Sequence, residues 1–222
     1  AGRIKGVSRP ALAPIVPSLT GGTMIIDAGM NTICRPINYA QFAIMGSIYM
    51  QQMMKKENPR VGLVNIGTED EKGNDTLKET LPILRKCGVN FIGNIEGRDI
   101  AEGKVDVAVC DGFTGNAMLK MMEGTGKYFF QNIKRIFNSD LFTKISALLV
   151  KAHIKKLKDS VDPEVIGGTP ILGIDGIVFK CHGNSKAKAI RNTILNACNV
   201  TKSAFIDQIR DRFSTMEVKF NA

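Results

Sequence analysis

Side chains able to neutralise or orient an anion recur in this chain at the ends of apolar runs, and residues 105–120 (VDVAVCDGFTGNAMLK) concentrate the pattern. A β-branched run through Val105, Val107 and Val109 stops at Asp111, Gly112 and Gly115 bracket a polar loop, and a helix-forming segment begins at Asn116. Such a join aims backbone N–H groups and the positive end of a helix dipole at one point, which suits a phosphate or an oxyanion. Gly112, Thr114, Gly115 and Asn116 are the candidate cradle; the competing reading is a plain tight turn.

Other polar segments supply matching chemistry. Lys72, Arg98 and Lys120 are candidates to neutralise a phosphate, arginine by bidentate donation and lysine as a point charge. Asn65, Asn94 and Asn116 are candidates to orient oxygens or line an oxyanion hole. His182, after the run IVFKC, is placed as a general acid or a donor to a carbonyl. Gly168, in VIGGTPILGIDGIVF, would let a flexible arm approach the backbone. Each has a plainer use, as a solvated charge, a structural hydrogen-bonder or a connector. The five cysteines are an odd number with no CxxC pair, and no DxD or HExxH spacing occurs, so a disulfide framework, a metal and a cofactor are not expected. Ser185 reads as a helix cap rather than a nucleophile.

Positioning these residues requires strands alternating with helices. Strand-like runs fall at 23–27, 61–66, 89–93, 105–110 and 177–181. Helical patterns fall at 39–56 with Asn38 as cap, 76–87 capped by Asp75, 116–137 and 185–213. This is an α/β chain with a largely parallel sheet, expected as a single domain over 1–222. Ligands of such sheets bind at the carboxyl ends of the strands. The segments 27–31, 65–74, 93–99, 111–116 and 182–185 are all expected at that edge, forming one composite site.

The net charge of +9, from 30 Lys and Arg against 21 Asp and Glu, points to an anionic partner. With three tyrosines and no tryptophan, a stacking platform for single-stranded nucleic acid has little to be built from, so nucleic acid is not expected. Residues 141–158 (LFTKISALLVKAHIKKLK) hold five lysines and no acidic residue. Leu141, Ile145, Leu148 and Leu149 recur at helical spacing, and with Lys151 they make a candidate lipid-binding face on a protruding basic amphipathic segment over 139–166. Packing on the core or on a second subunit is the alternative. No apolar run is long enough to span a bilayer, so the expected location is cytoplasmic, peripheral to the inner face of the membrane.

Taken together, LVNIGTEDEKGN (63–74), FIGNIEGRDI (91–100), DVAVCDGFTGNAMLK (106–120), GGTPILGIDG (167–176) and HGNSKAKAI (182–190) resemble the bacterial PlsX-type phosphate acyltransferases. PALAPIVP followed by IIDAGMN extends the likeness, with Met30 where the family usually has alanine. The family's proteins are longer and begin with a strand and a DAMGGD-like loop, so the resemblance spans their C-terminal two-thirds. It implies a three-layer α/β/α fold related to phosphotransacetylases and to isocitrate and isopropylmalate dehydrogenases, usually as a homodimer. It also implies transfer of a long-chain acyl group from acyl carrier protein to inorganic phosphate, giving acyl phosphate for phospholipid synthesis. On that reading Lys72, Arg98, Lys120 and the 112–116 backbone serve phosphate or the oxyanion, while His182 and Asn65 orient the thioester carbonyl. A coenzyme A-dependent short-chain phosphotransacetylase, a nicotinamide-dependent oxidoreductase and a non-catalytic carrier- and membrane-docking module are the alternatives.

Overall fold

In the computed structural model, which describes residues 2–161 and 167–220, the elements that matter for the site form a five-stranded sheet with helices on both faces. Its strands are β2 (Ile15–Ser18), β3 (Gly21–Ile26), β4 (Arg60–Val64), β5 (Asn90–Ile95) and β6 (Val107–Val109), in the spatial order β2-β3-β6-β4-β5. All neighbours pair in parallel except β2, which returns antiparallel along β3. A smaller antiparallel sheet pairs β1 (Ala11–Leu12), β7 (Thr169–Leu172) and β8 (Val178–Lys180) in the order β1-β7-β8.

Side-chain alternation along the strands explains the layering. Met24, Ile26, Val107, Val109, Val61 and Leu63 face one core, which is filled by α1 (Pro36–Met54), α2 (Asp75–Lys86) and α7 (Phe205–Phe220). Ile25, Ala108, Val64 and Ile95 face the other, covered by α3 (Gly97–Glu102) and the first turns of α4 (Gly112–Phe137) through Ile100, Met118, Leu119 and Met122. Gly46 lets α1 lie flush on the sheet, since a Cβ there would come within 2.7 Å of Val107 Cγ1. Tyr49 of α1 meets Phe205 of α7 edge to face, with centroids 5.4 Å apart, which docks the last helix.

Several boundaries differ from the sequence expectation. The short strands β1, β2 and β7, the last two with a proline inside, carry little pattern. Asn38 is inside α1, where its Oδ1 accepts the Arg35 N–H at 2.8 Å, and Arg35 is the cap. Asn74, not Asp75, caps α2, accepting the Leu77 N–H at 3.0 Å. The pattern over 185–213 is two helices, α6 (Ala187–Thr201) and α7, and Lys186 rather than Ser185 caps α6.

Two helices expose much of their length, the second of them while touching β2. Gly112 and Gly115 are the only buried residues of α4, and Met121, Tyr128, Phe129 and Ile136 are exposed along its length. Helix α5 (Leu141–Val161) follows it and exposes Leu141, Ile145, Leu148 and Leu149, the last 80% exposed. Residues 162–166 of the expected 139–166 segment lie outside the described residues. No helix among the described residues is long and apolar enough to cross a membrane.

Candidate functional site

Parallel pairing of β3, β6, β4 and β5 brings four of the five expected segments to one edge: 27–31, 65–74, 93–99 and 111–116. Direct contacts tie them together. The Gly112 N–H donates to Asn31 O at 2.7 Å, the Asn65 N–H to Ile95 O at 2.8 Å, and Asn94 Nδ2 to Glu69 O at 2.8 Å. Among the described residues there is no group of three or more His, Cys, Asp or Glu side chains able to hold a metal ion.

Asp27 anchors the edge. Its fully buried carboxylate accepts from the backbone of Leu12 (2.9 Å), Met30 (3.0 Å) and Asn31 (2.6 Å) and from Asn31 Nδ2 (2.9 Å). These bonds saturate its lone pairs without a cation. Asn31 Nδ2 also donates to Pro10 O at 2.7 Å, which fastens the segment ahead of β1 to the same loop.

The 111–116 stretch is not a loop but the first turn of α4. Asp111 is its cap: Oδ1 accepts the Thr114 N–H at 2.8 Å, Oδ2 accepts the Thr114 hydroxyl at 3.0 Å, and its carbonyl accepts the Gly115 N–H at 2.9 Å. The backbone donors of Gly112, Thr114 and Gly115 are therefore committed to protein acceptors, and the expected backbone cradle is corrected. Among the described residues only the Phe113 N–H of this turn has no acceptor. Gly115 is required for close approach, since a Cβ there would lie 1.9 Å from Asp27 O. The Asn116 side chain is exposed beside Gly29 and keeps its amide available.

Asn65 and Asn94 are buried, at 8% and 5% exposure, and their amides hold loop carbonyls. Asn65 Nδ2 donates to Lys72 O at 3.0 Å while its Oδ1 accepts the Ile66 N–H at 2.8 Å, which closes the loop after β4. Asn65 thereby holds the Lys72 loop with one of its two amide hydrogens. Asn94 Oδ1 is buried without a partner among the described residues.

The three expected cations differ in freedom. Lys72 is exposed and makes no ion pair among the described residues. Arg98, 71% exposed at its side chain, pairs with Glu96, and Lys120 pairs with Glu123 at 2.7 Å one turn along α4.

His182 and Gly168 are not brought to this edge. Strand β1 runs antiparallel to β3, through Ala28 N–H to Leu12 O and Ile25 N–H to Pro14 O, both 2.9 Å. β7 is antiparallel to β1 and β8 to β7, so β8 runs against the parallel strands and the exposed His182 loop opens toward their amino ends. The Gly168 N–H donates to Thr193 Oγ1 at 2.7 Å, clamping the start of β7 to α6.

Beneath the edge lie Cys34, Cys110 and Tyr39. Burial, with the nearby Asp27 and Asp111 carboxylates adding to it, pushes the Cys34 thiol up to about 12. Burial and the same carboxylates raise Cys110 well above its ordinary range. Burial, then the Asp111 carboxylate and a hydrogen bond to it, also raises Tyr39. These groups stay neutral and act as packing and donors rather than as nucleophiles. Asp27 and Tyr39 escaped sequence reasoning. The signal for Asp27 was an Asp directly after an apolar strand, and Tyr39 carried none.

The family described as "Fatty acid synthesis protein" matches residues 1–208. Proteins named phosphate acyltransferase are 54% identical over 218 residues in Acetivibrio thermocellus, 49% over 215 in Thermoanaerobacter pseudethanolicus and 44% over 216 in Clostridium tetani. Those matches cover 98%, 97% and 97% of this chain and 64%, 65% and 65% of the relatives, so the chain spans about two thirds of their length. Among solved structures, EutD phosphotransacetylase from Staphylococcus aureus aligns with 56% of this chain and 44% of its own, at 15% identity and a TM-score of 0.47. With its motifs in family order and the family match running over residues 1–208, the chain belongs to the fatty acid synthesis protein family, to which its resemblance to PlsX-type phosphate acyltransferases pointed.

Proposed function

We propose that the protein transfers a long-chain acyl group from the thioester of acyl carrier protein to inorganic phosphate, yielding acyl phosphate for phospholipid synthesis. One observation carries this reading. Four loop ends of a parallel sheet meet at one edge, which carries Lys72, without an ion pair among the described residues, the exposed amide of Asn116 and the capped start of α4. A phosphate oxygen attacks the thioester carbonyl, a C–O bond replaces the C–S bond, and the thiolate leaves with the bonding electrons. Phosphate is already a nucleophile and thiolate a stable leaving group, so positioning and charge neutralisation suffice. Lys72 holds phosphate as a point charge and Asn116 donates to it. Arg98 and Lys120 join by exchanging Glu96 and Glu123 for phosphate. No cofactor or metal enters this chemistry.

The shared name of the relatives supports the reaction. The net charge of +9 supports an acidic carrier protein and an anionic membrane surface as partners. Exposed Leu141, Ile145, Leu148 and Leu149 beside Lys151 support shallow insertion of α5 at the inner face of the membrane, and the apolar length of α4 supports a homodimer.

Hydroxylamine trapping of acyl phosphate, with acyl carrier protein or coenzyme A thioesters as donor, tests the reaction. Lys72→Ala is expected to lower turnover about 100-fold, the scale of one lost charge-assisted contact. Full turnover in that variant overturns the role of Lys72, and consumption of short-chain coenzyme A thioesters alone replaces the proposed donor. Carrier binding with no turnover points instead to a docking module.

A further inference from the structure

Arg9 stands at the same edge and belongs to none of the motifs above. Its place is held from both sides. Ahead of it, Ser8 donates from its N–H (2.9 Å) and hydroxyl (2.6 Å) to Gln41 Oε1, accepts from Asn38 Nδ2 (2.6 Å), and Gln41 Nε2 donates to Gly6 O (2.8 Å). Behind it, Pro10 O takes the Asn31 amide. Asn38 and Gln41 are 2% and 6% exposed, so two buried polar side chains of α1 are committed to fixing an otherwise irregular segment.

The guanidinium itself is exposed and has no ion-pair partner among the described residues. The nearest carboxylates do not claim it: Asp27 is saturated by backbone and Asn31 donors, and Asp111 caps α4. Arg9 lies close enough to Cys34, which is itself bonded to the Gly112 backbone, to offset part of the carboxylates' influence on that thiol. The strand order gives the remaining geometry. Arg9 is tied to the end of β3 and Lys72 to the end of β4, with β6 and the start of α4 between them. Two strand spacings are about 10 Å, a gap that two long side chains close from opposite sides.

We propose that Arg9 is a second phosphate-binding cation of this edge, gripping the anion opposite Lys72 above the first turn of α4. This rests on the phosphate acyltransferase reading and adds to it the residue that makes the phosphate contact bidentate. A planar fork supplied by Arg9 does what the committed backbone donors of α4 do not: it fixes the orientation of the phosphate as well as its charge.

The test compares Arg9→Ala, Arg9→Lys and, as a control, Lys5→Ala, an exposed cation on the same segment that contacts none of the site. Inorganic phosphate is titrated calorimetrically into each protein, and the KM for phosphate is measured at saturating acyl donor. Arg9→Ala is expected to weaken phosphate binding and raise its KM about 10- to 100-fold, with the donor KM unchanged. Arg9→Lys should recover part of the affinity and Lys5→Ala should match the parent. Unchanged phosphate affinity in Arg9→Ala, an effect confined to the donor KM, or an equal loss in Lys5→Ala overturns the proposal. If the parent makes acyl phosphate while Arg9→Ala binds phosphate normally, only the role of Arg9 fails. If the parent neither binds phosphate nor makes acyl phosphate, the underlying reaction fails with it.

Discussion

Gly115→Ala tests whether the edge depends on close contact between α4 and the loop after β3. The added Cβ would lie 1.9 Å from Asp27 O and 2.9 Å from both the Asp27 carbonyl carbon and Cys110 Sγ. The shortest of these is about an ångström inside any contact a real methyl group makes. Relief by moving Asp27 would break bonds to three backbone N–H groups, so α4 must back away instead. The cost is about 3 kcal/mol, the upper end of ordinary overpacking. For a chain of this size that lowers the melting temperature by about 6–12 °C. A displacement of about 1 Å between groups that must meet on one phosphate lowers turnover about 100-fold. Gly124→Ala, on the same helix with nothing within 4 Å of the new Cβ, should raise stability by about 0.8–1 kcal/mol through helix propensity alone. Circular-dichroism melts and acyl phosphate trapping on both variants decide the matter. A Gly115→Ala protein that melts and turns over like its parent refutes the reasoning, as would Gly124→Ala losing as much as Gly115→Ala.

Asp106 is buried, which disfavours its charge, but bonds from the Arg60 backbone (2.8 Å) and Nε (3.0 Å), with Lys56 at 3.4 Å, outweigh this and hold its carboxyl below 3.8. Its contribution to stability is present above the unfolded value and lost as pH falls through the folded one. Asp106→Asn should therefore cost about 2–3 kcal/mol in urea melts at about pH 7 and flatten the acid limb; an unchanged limb contradicts the assignment. Iodoacetamide at about pH 8 should label exposed Cys198 in the native protein and spare Cys34 and Cys110, as read by peptide mass spectrometry; equal labelling would be inconsistent with their burial. Because the folded state keeps the Cys34 proton between 9.0 and about 12 where the unfolded chain has lost it, stability should fall with rising pH across that window, and Cys34→Ala should lessen the slope. Flotation with anionic vesicles should be abolished by Leu148→Asp with Leu149→Asp, and persistence of binding would remove α5 as the anchor.

The parallel sheet was legible because its strands are β-branched runs ending in polar residues, as at Val107–Val109, and the edge followed from chain direction alone. What escaped depends on partners distant in sequence. An Asp before two glycines reads alike whether the following N–H groups await an anion or are capped, and only the Asp111 geometry separates the two. The strand before His182 was visible, but its direction is set by pairing with β7, which is set in turn by β1, some 160 residues away. Lys72 and Lys120 are indistinguishable as letters; Glu123 one turn away distinguishes them in space. Arg9 was passed over because the bonds that fix its segment come from α1, about 30 residues on.

Helix α4 has a mechanical consequence. It is seated on the body from Gly112 through Met122, and the rest of its 26 residues runs out to a tip that carries exposed apolar side chains. Anything that covers the tip therefore holds the free arm of a lever whose fulcrum is the seated stretch that includes Asn116. The free stretch from Met122 to Phe137 is about 22 Å long, so a tip displacement of about 2 Å turns the seated part by only about 5°. Docking far from the edge reaches it as a small rotation of Asn116 against Asp27, geared down rather than passed on as a shift.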